Sequence, residues 1–134
     1  MRWDEITLER LGIQPDELKY CHSNGSYTTE TEHLEGTLFR IRISGHIDEE
    51  ALRGEFAIRD RVLDALAEHQ APCRCYTVVS GSVTFASGAR KRMKQEAELT
   101  QDRLGGIAFI EASGVWRGLG RFVTLFTPDL NISF

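Results

Sequence analysis

The residues best suited to chemistry lie between positions 81 and 94, where a polar turn leads into a predicted helix. Ser87 and Thr84 supply hydroxyl groups in the turn. Four cations occupy the first turns of the helix: Arg90, Lys91, Arg92 and Lys94. Cations are disfavoured at a helix N-terminus, where unpaired N–H groups already create a positive end. The pattern therefore indicates a regulatory or anion-facing site at this turn.

Two roles fit Ser87. As a phosphate acceptor it would add up to about −2 charge at a helix N-terminus, next to Arg90 and Lys91. As an N-cap it would accept hydrogen bonds from the N–H groups of the following turn, which is the more ordinary role of a serine there. Thr84 is a second candidate for phosphorylation, with weaker support from its position.

The basic run also has an ordinary explanation. Glu96 and Glu98 stand four residues after Arg92 and Lys94, so each can form an i,i+4 ion pair on a solvated helix face. If the cations are not compensated in this way, they could bind a phosphate, a nucleotide or an acidic partner.

Two further arginines, Arg117 and Arg121, share one face of a later predicted helix at i,i+4 spacing and are candidate contact residues. Gly118 and Gly120 lie beside them, but the GlyLeuGly sequence lacks the rest of a dinucleotide-binding fingerprint. Close packing of the helix on a sheet is the simpler explanation for these glycines.

The other chemistry-bearing residues indicate neither a metal centre nor a catalytic set. Cys73 and Cys75 stand two apart on a predicted strand, a spacing that suits no common zinc site. The four histidines and the carboxylate pairs are scattered over loops and element ends. We therefore expect no metal, no cofactor and no enzymatic activity, and a buried acid with a raised pKa in a cleft would be the sign of an enzyme.

Composition places the chain among ordinary globular domains, with 134 residues, 41% hydrophobic and 27% charged. No apolar run approaches the ~20 residues of a membrane span, and the N-terminus is too polar for a signal peptide, so we expect a cytoplasmic protein. Residues 1–70 hold 15 acidic and 8 basic side chains, whereas residues 71–134 hold 5 and 8. A general nucleic-acid binder would be basic throughout, so we expect no nucleic-acid partner.

The first third of the chain predicts a short helix and three strands. The helix spans residues 4–11 and stops at Gly12. Strands at 18–22 and 27–32 flank Asn24-Gly25, which predicts a hairpin in which both turn residues have positive φ. A third strand, 37–44, alternates apolar and basic residues and is expected to end at Gly45.

Strands and helices then alternate. Asp48 is placed to cap a long amphipathic helix that runs to about residue 69. The elements that follow are a strand at 73–80, a helix at 87–100, a strand at 105–113, a helix at 114–126 and a strand at 129–134. Strands separated by helices imply parallel pairing. We therefore predict an α/β fold with a mixed, mainly parallel sheet, an N-terminal antiparallel hairpin and helices packed on it.

Four segments resemble the STAS-like group of domains, relatives of the SpoIIAA anti-sigma-factor antagonists: residues 45–51 (GHIDEEA), 80–90 (SGSVTFASGAR), 106–110 (GIAFI) and 113–122 (SGVWRGLGRF). The resemblance covers about three quarters of the chain. It implies one domain, with residues 36–134 as the STAS-like core and residues 1–35 as an N-terminal extension.

The resemblance implies a non-catalytic regulatory domain that acts through protein–protein interaction in bacterial signal transduction, such as the N-terminal input domain of a sensor histidine kinase. The antagonists present an Asp at the strand end and an Asp-Ser pair at the helix start, where a kinase phosphorylates the serine. Here Val78 and Val79 occupy the strand end, and Ala86, Ser87 and Gly88 form the turn. The resemblance therefore supports the fold and the signalling role more than the switch chemistry.

Three further expectations concern partners and boundaries. The partner would be another protein or other domains of the same chain, and the hairpin could serve a homodimer by exposing an edge strand. The chain stops on an apolar strand residue, Phe134, so we expect a fragment of a longer protein.

The alternative function is a small-ligand or anion carrier with an apolar pocket lined by aromatic residues: Phe39, Phe56, Trp116, Phe122 and Phe126.

Overall fold

A computed structural model of the chain describes residues 2–71, 73, 75–100, 102–103, 106–110 and 131–133. Six strands form one sheet within these residues: β1 (Lys19–Cys21), β2 (Tyr27–Glu35), β3 (Leu38–Ile47), β4 (Cys75–Phe85), β5 (Gly106–Ile110) and β6 (Asn131–Ser133). Three α-helices accompany them: α1 (Leu8–Leu11), α2 (Glu49–Glu68) and α3 (Ala89–Thr100). Two 3-10 helices span Trp3–Glu5 and Pro15–Leu18.

The strands lie in the sheet in their order along the chain. β1, β2 and β3 pair antiparallel, whereas β3, β4, β5 and β6 pair parallel. α2 connects β3 to β4, and α3 connects β4 to β5. The chain is therefore an α/β protein with a mixed sheet, as predicted.

β3 and α2 supply most of the described core. Phe39, Ile41 and Ile43 alternate along β3 on the buried face, as the sequence predicts. The stripe of α2 packs on them through fully buried apolar side chains that include Leu52, Val62 and Leu66. On the opposite face of β3, Arg40 and Arg42 both bind the carboxylate of Glu32 on β2, at 2.8 Å each. One face of these strands is therefore apolar and covered, and the other is polar.

The N-terminal hairpin forms, but its turn differs from the prediction. Only Gly25 has a positive φ, of 74°, and Asn24 does not. The turn closes through a bond from the Gly25 N–H to the His22 carbonyl at 2.8 Å, so the loop spans residues 22–26 rather than two residues. The Asn24 carboxamide oxygen instead accepts from the Ser26 N–H at 2.8 Å, a local bond for which asparagine is well suited.

The expected strand end at Gly45 was wrong, because β3 continues through it to Ile47. Gly45 has φ 113°, and a Cβ on this residue would lie 1.9 Å from the Ser26 carbonyl oxygen. The next residue, His46, donates its N–H to that same carbonyl at 2.8 Å. The glycine therefore allows the hairpin loop to contact β3 directly, and the strand continues where a break was predicted.

The first helix of the chain also differs from its predicted boundaries. The first predicted helix is split into Trp3–Glu5 and Leu8–Leu11, with Thr7 capping α1 through the Arg10 N–H at 3.2 Å. Gly12 ends α1 with φ 71°, as predicted. Asp48 caps α2, also as predicted.

The later elements agree with the predictions in order, where they are described. β4 is longer than predicted, since residues 81–85 belong to the strand. β5 and β6 lie within the strands predicted at 105–113 and 129–134. The helix predicted at 114–126 lies outside the described residues. In the part of the chain that the structure describes, no helix has the length and apolarity needed to cross a membrane.

Replacement of Gly45 by alanine is expected to lower the free energy of unfolding by about 3–5 kcal/mol, because the new Cβ collides with the Ser26 backbone at a positive φ. Gly25→Ala is the matched control: it also has a positive φ, but a Cβ there meets no atom within 4 Å. The control should cost only about 1–2 kcal/mol. Urea unfolding of both variants measures the difference, and equal losses would contradict the close approach at Gly45.

Candidate functional site

The predicted site lies where β3 and β4 end and where α2 and α3 begin. We call this region the carboxyl edge; it comprises residues 45–50 and 83–91, together with the hairpin loop 22–26 that contacts it. Ligands of open α/β sheets bind outside the carboxyl ends of the strands. The hydrogen bond from the Ala86 N–H to the Ile47 carbonyl, at 2.8 Å, holds the two strand ends together.

Asp48 joins three parts of the carboxyl edge. Its Oδ1 accepts from the Ala51 N–H at 2.9 Å, which caps α2. Its Oδ2 lies 2.9 Å from Nε2 of His22 in the hairpin loop. The backbone bond from Ala51, together with the interactions with His22 and His46, holds the pKa of the Asp48 carboxyl below its usual value.

His22 is buried at this junction, with 5% of its surface exposed. Its Nδ1 accepts from the Asn24 N–H at 3.1 Å, so Nε2 carries the proton in this arrangement. Nε2 lies between two carboxylates, Asp48 at 2.9 Å and Glu50 at 3.0 Å. His22 was not predicted to have a partner, because 26 residues separate it from Asp48 and only the fold brings them together.

Thr84 lies on β4 beside His46 of β3, with which it is in register. Nδ1 of His46 and Oγ1 of Thr84 are 2.7 Å apart, and both residues are exposed. The second predicted phosphorylation site is therefore in contact with an imidazole. The sequence carried no signal for this pair, since it depends on the register between two strands.

Ser87 lies in the turn between β4 and α3, and its side chain is exposed. α3 begins at Ala89, and its first i,i+4 bond runs from the Arg92 N–H to the Gly88 carbonyl at 3.1 Å. The N-cap position is therefore Gly88, with φ 84°, one residue later than the predicted cap at Ser87. Ser87 precedes the helix rather than capping it.

The basic run divides into two parts. Arg92 binds Glu96 at 2.6 Å and Lys94 lies 3.6 Å from Glu98, which confirms the two predicted i,i+4 pairs. Arg90 and Lys91 are exposed and form no ion pair with a carboxylate of the described residues. The Arg90 guanidinium instead lies 5.8 Å from the centroid of the Phe85 ring. Within the basic run, the two cations without a carboxylate partner among the described residues therefore lie in the first turn of α3.

A largely buried ion pair holds α3 against α2. Arg59 of α2 binds Glu96 of α3 at 2.7 Å, and their side chains are only 11% and 10% exposed. Arg92 adds a second bond to Glu96 and lies 3.5 Å from Glu49. The guanidinium groups of Arg59 and Arg92 lie 4.5 and 5.8 Å from the centroid of Phe56. This network fixes the orientation in which α3 presents its first turn.

A second buried contact involves an acid whose pKa is raised. The Tyr27 hydroxyl donates to Oε2 of Glu55 at 2.9 Å. Burial raises the pKa of the Glu55 carboxyl, while the Tyr27 hydrogen bond and the charge of Arg59 oppose the rise. Burial also raises the pKa of Tyr27. The contact joins the start of β2 to the second turn of α2 and so has a structural role between the hairpin and the helix.

The remaining candidates are dispersed or undescribed. Arg117 and Arg121 lie outside the described residues. Cys21 is exposed, whereas Cys73 is buried and its thiol donates to the Thr37 carbonyl at 3.7 Å. No group of three or more metal-ligating side chains occurs in the ranges that the structure describes.

The aromatic residues proposed to line a ligand pocket do not meet in the described part. Phe39 is fully buried in the core, and Phe56 lies against the two guanidinium groups. Trp116, Phe122 and Phe126 lie outside the described residues. An open groove of about 490 Å³ occurs on the hairpin instead, and its lining contains neither phenylalanine. The lining residues are Lys19, Tyr20, Cys21, Thr28, Thr29, Glu30, Arg42, Ile43 and Ser44.

Comparisons of the chain with protein-family models, with curated proteins and with solved structures found no match. The geometry of the carboxyl edge is therefore the basis for a functional proposal.

Replacement of Asp48 by asparagine tests the charge at this junction, because asparagine caps helices as well as aspartate does. A depressed carboxyl pKa contributes stability above the pKa of the unfolded chain, and this contribution is lost as the pH falls through the folded pKa. The wild type should therefore be more stable than Asp48→Asn at neutral pH, and the gap should close in acid. Urea unfolding over a pH series measures the gap, and a gap that does not change with pH would contradict the assignment.

Removal of Glu96 tests the interhelical ion pair. Glu96→Ala should lower the free energy of unfolding by about 2 kcal/mol, because it removes the largely buried carboxylate that binds Arg59 and leaves only the more exposed Asp60. Glu98→Ala, which removes the exposed partner of Lys94 on the same helix, should cost about 0.5 kcal/mol or less. Thermal or urea unfolding compares the two, and similar small losses would show that the network does not hold α3.

Proposed function

We propose that this chain is a non-catalytic regulatory domain of the STAS-like kind, which binds a protein partner at the carboxyl edge. The observation that carries the proposal is the position of Ser87, exposed in the turn directly before α3 and followed within four residues by the exposed cations Arg90 and Lys91. A hydroxyl and two cations on one rigid turn form a surface whose charge a modification of the serine would change.

The charges around the turn support this function. Of the four predicted cations, Arg92 and Lys94 are compensated by carboxylates of α2 and α3, and they contribute to packing. Arg90 and Lys91 are available for contact. Phosphorylation of Ser87 would add about −2 charge beside these two cations and offset most of their positive charge. A partner that recognises the cationic turn would then be released.

The order of elements supports the STAS-like assignment. From β3 to β5 the described strands and helices alternate, and β3, β4, β5 and β6 pair parallel in sequence order, as the resemblance implies for this part of the chain. This chain lacks the Asp-Ser pair of the antagonists. We therefore do not propose their kinase-driven switch for it. We propose docking as the activity and Ser87 as its modulator, with Thr84 as the second candidate.

The partner is a protein with an acidic docking surface, because the first turn of α3 is cationic. It is either a separate signalling protein or another domain of the same chain, as in the input domain of a sensor histidine kinase. We place the domain in the cytoplasm of a bacterium on the same resemblance.

Charge removal on the turn tests the proposal. Partners captured from the native host with the wild-type chain should bind Arg90→Gln/Lys91→Gln at least about tenfold more weakly, a loss of about 1.4 kcal/mol. Ser87→Glu should weaken the same partners, because it places a negative charge on the cationic surface. Surface plasmon resonance or calorimetry with the purified partner gives the dissociation constants.

The matched control is Arg10→Gln/Lys19→Gln, which removes the same charge from two exposed residues of α1 and β1. It should leave the affinity unchanged. Equal affinity of the wild type, both double variants and Ser87→Glu would rule out the turn as the docking surface.

A further inference from the structure

His46 and Thr84 form a hydroxyl–imidazole pair, and the imidazole has no part in the docking function. The two residues are register partners on the parallel strands β3 and β4, and their contact is 2.7 Å between Nδ1 and Oγ1. Both are exposed at the carboxyl edge, where a small molecule can reach them. A nucleophile and a base within hydrogen-bond reach are the first requirement for an activated hydroxyl.

The backbone on both sides of the pair is fixed by specific contacts. The pairing of β3 with β4 shifts between Ile43–Ser80 and Gly45–Val83, where β4 has one residue more than β3. The His46 N–H then binds the Ser26 carbonyl, and the Ala86 N–H binds the Ile47 carbonyl, each at 2.8 Å. Bulges re-aim side chains and are frequent next to active sites. Here the extra residue lies on β4, shortly before Thr84.

The geometry of the pair allows proton transfer from the hydroxyl to the imidazole. The Thr84 hydroxyl can donate to Nδ1 of His46 across the 2.7 Å contact, and in this tautomer Nε2 carries the ring proton. Asp48, two residues after His46, supplies a carboxylate at the same edge of the sheet.

We propose that Thr84 is a site of self-phosphorylation, with His46 as its general base and a small acyl phosphate as the phosphoryl donor. We propose transfer of a phosphoryl group rather than an acyl group, because the protonated His46 remains beside the product and can stabilise its negative charge. The Nδ1–H of His46 can then donate a charge-assisted hydrogen bond to the phosphate on Thr84. Arg90 and Lys91, in the first turn of the helix that follows, add a favourable field for an anion.

The step is a single displacement at phosphorus. Thr84 Oγ1 forms a bond to the phosphorus atom, and the bond between phosphorus and the acyl oxygen breaks. The carboxylate leaves with the electron pair of that bond, and the proton of Oγ1 moves to Nδ1 of His46. Each chain is modified once, so the step is compatible with a domain that has no catalytic turnover, and it needs no protein partner.

Incubation of the full chain with acetyl phosphate at neutral pH tests the proposal. Intact mass followed by peptide fragmentation should locate one acid-stable phosphate at Thr84. His46→Gln should reduce the rate at least about a hundredfold, since general-base assistance contributes that much or more. Thr84→Ser should retain the modification because it keeps the hydroxyl, and Thr84→Val should abolish it. Circular dichroism checks that the variants are folded, and the wild-type and Thr84→Ser results stand even if another variant is not.

Thr28→Val, which removes an exposed hydroxyl of β2 outside the carboxyl edge, is the control for the site of modification. It should be phosphorylated at Thr84 as fast as the wild type. A chain that stays unmodified, an acid-labile phosphate on His46, modification at Ser87, or an equal rate in His46→Gln would each overturn the assignment of Thr84. None of these results would bear on the affinity of partners for Arg90 and Lys91.

Discussion

The position of Gly45 is the constraint on which the carboxyl edge depends. A side chain at this residue would overlap the Ser26 carbonyl, so only a glycine lets the hairpin loop lie directly on β3. The contact continues β3 as far as Ile47, which is fully buried, and leaves His46 exposed. Asp48 follows at the point where it can cap α2 and bind His22 of the same loop. One backbone contact thus sets the loop, the end of the strand and the start of the helix.

The other half of the edge depends on electrostatics between helices. Glu96 accepts bonds from Arg59 of α2 and from Arg92 of its own helix, and both arginines pack near Phe56. Buried ion pairs contribute less to stability than to the choice of one arrangement, and here they select how α3 lies on α2. The same bonds engage Arg92, so Arg90 and Lys91 are the exposed cations of the basic run. The proposed docking surface is the part of the basic run that packing leaves exposed.

Local signals predicted the parts of the fold that local physics controls. The alternation of Phe39, Ile41 and Ile43, the Asp48 cap and the Gly12 stop all depend on residues close in sequence, and all were confirmed. Gly45 misled the prediction because a glycine in a strand reads as a break when the approaching loop is unknown. β4 was predicted too short for a similar reason: Gly81 and Ser82 indicate a turn, but the pairing of residues 83–85 with residues 45–47 of β3 keeps the segment in the sheet.

The sequence predicted which residues lie at the site but not most of the contacts between them. Ser87, Thr84 and the basic run were identified by residue type, and the two i,i+4 ion pairs followed from spacing. The pairs His46–Thr84, His22–Asp48 and Arg59–Glu96 join residues 38, 26 and 37 positions apart, so no sequence window contains a signal for them. Glu55, whose pKa is raised by burial, is also identified only by the fold, because its partner Tyr27 is 28 positions away.

Site-specific photo-crosslinking in the native host tests the central claim most directly. A photoreactive residue at position 87 would report on the cationic turn, and one at Thr28, exposed on the polar side of β2, would serve as the reference. The carboxyl edge as docking surface predicts a discrete protein adduct from position 87 and none from position 28. An adduct from position 28 alone, or the same adducts from both positions, would contradict it.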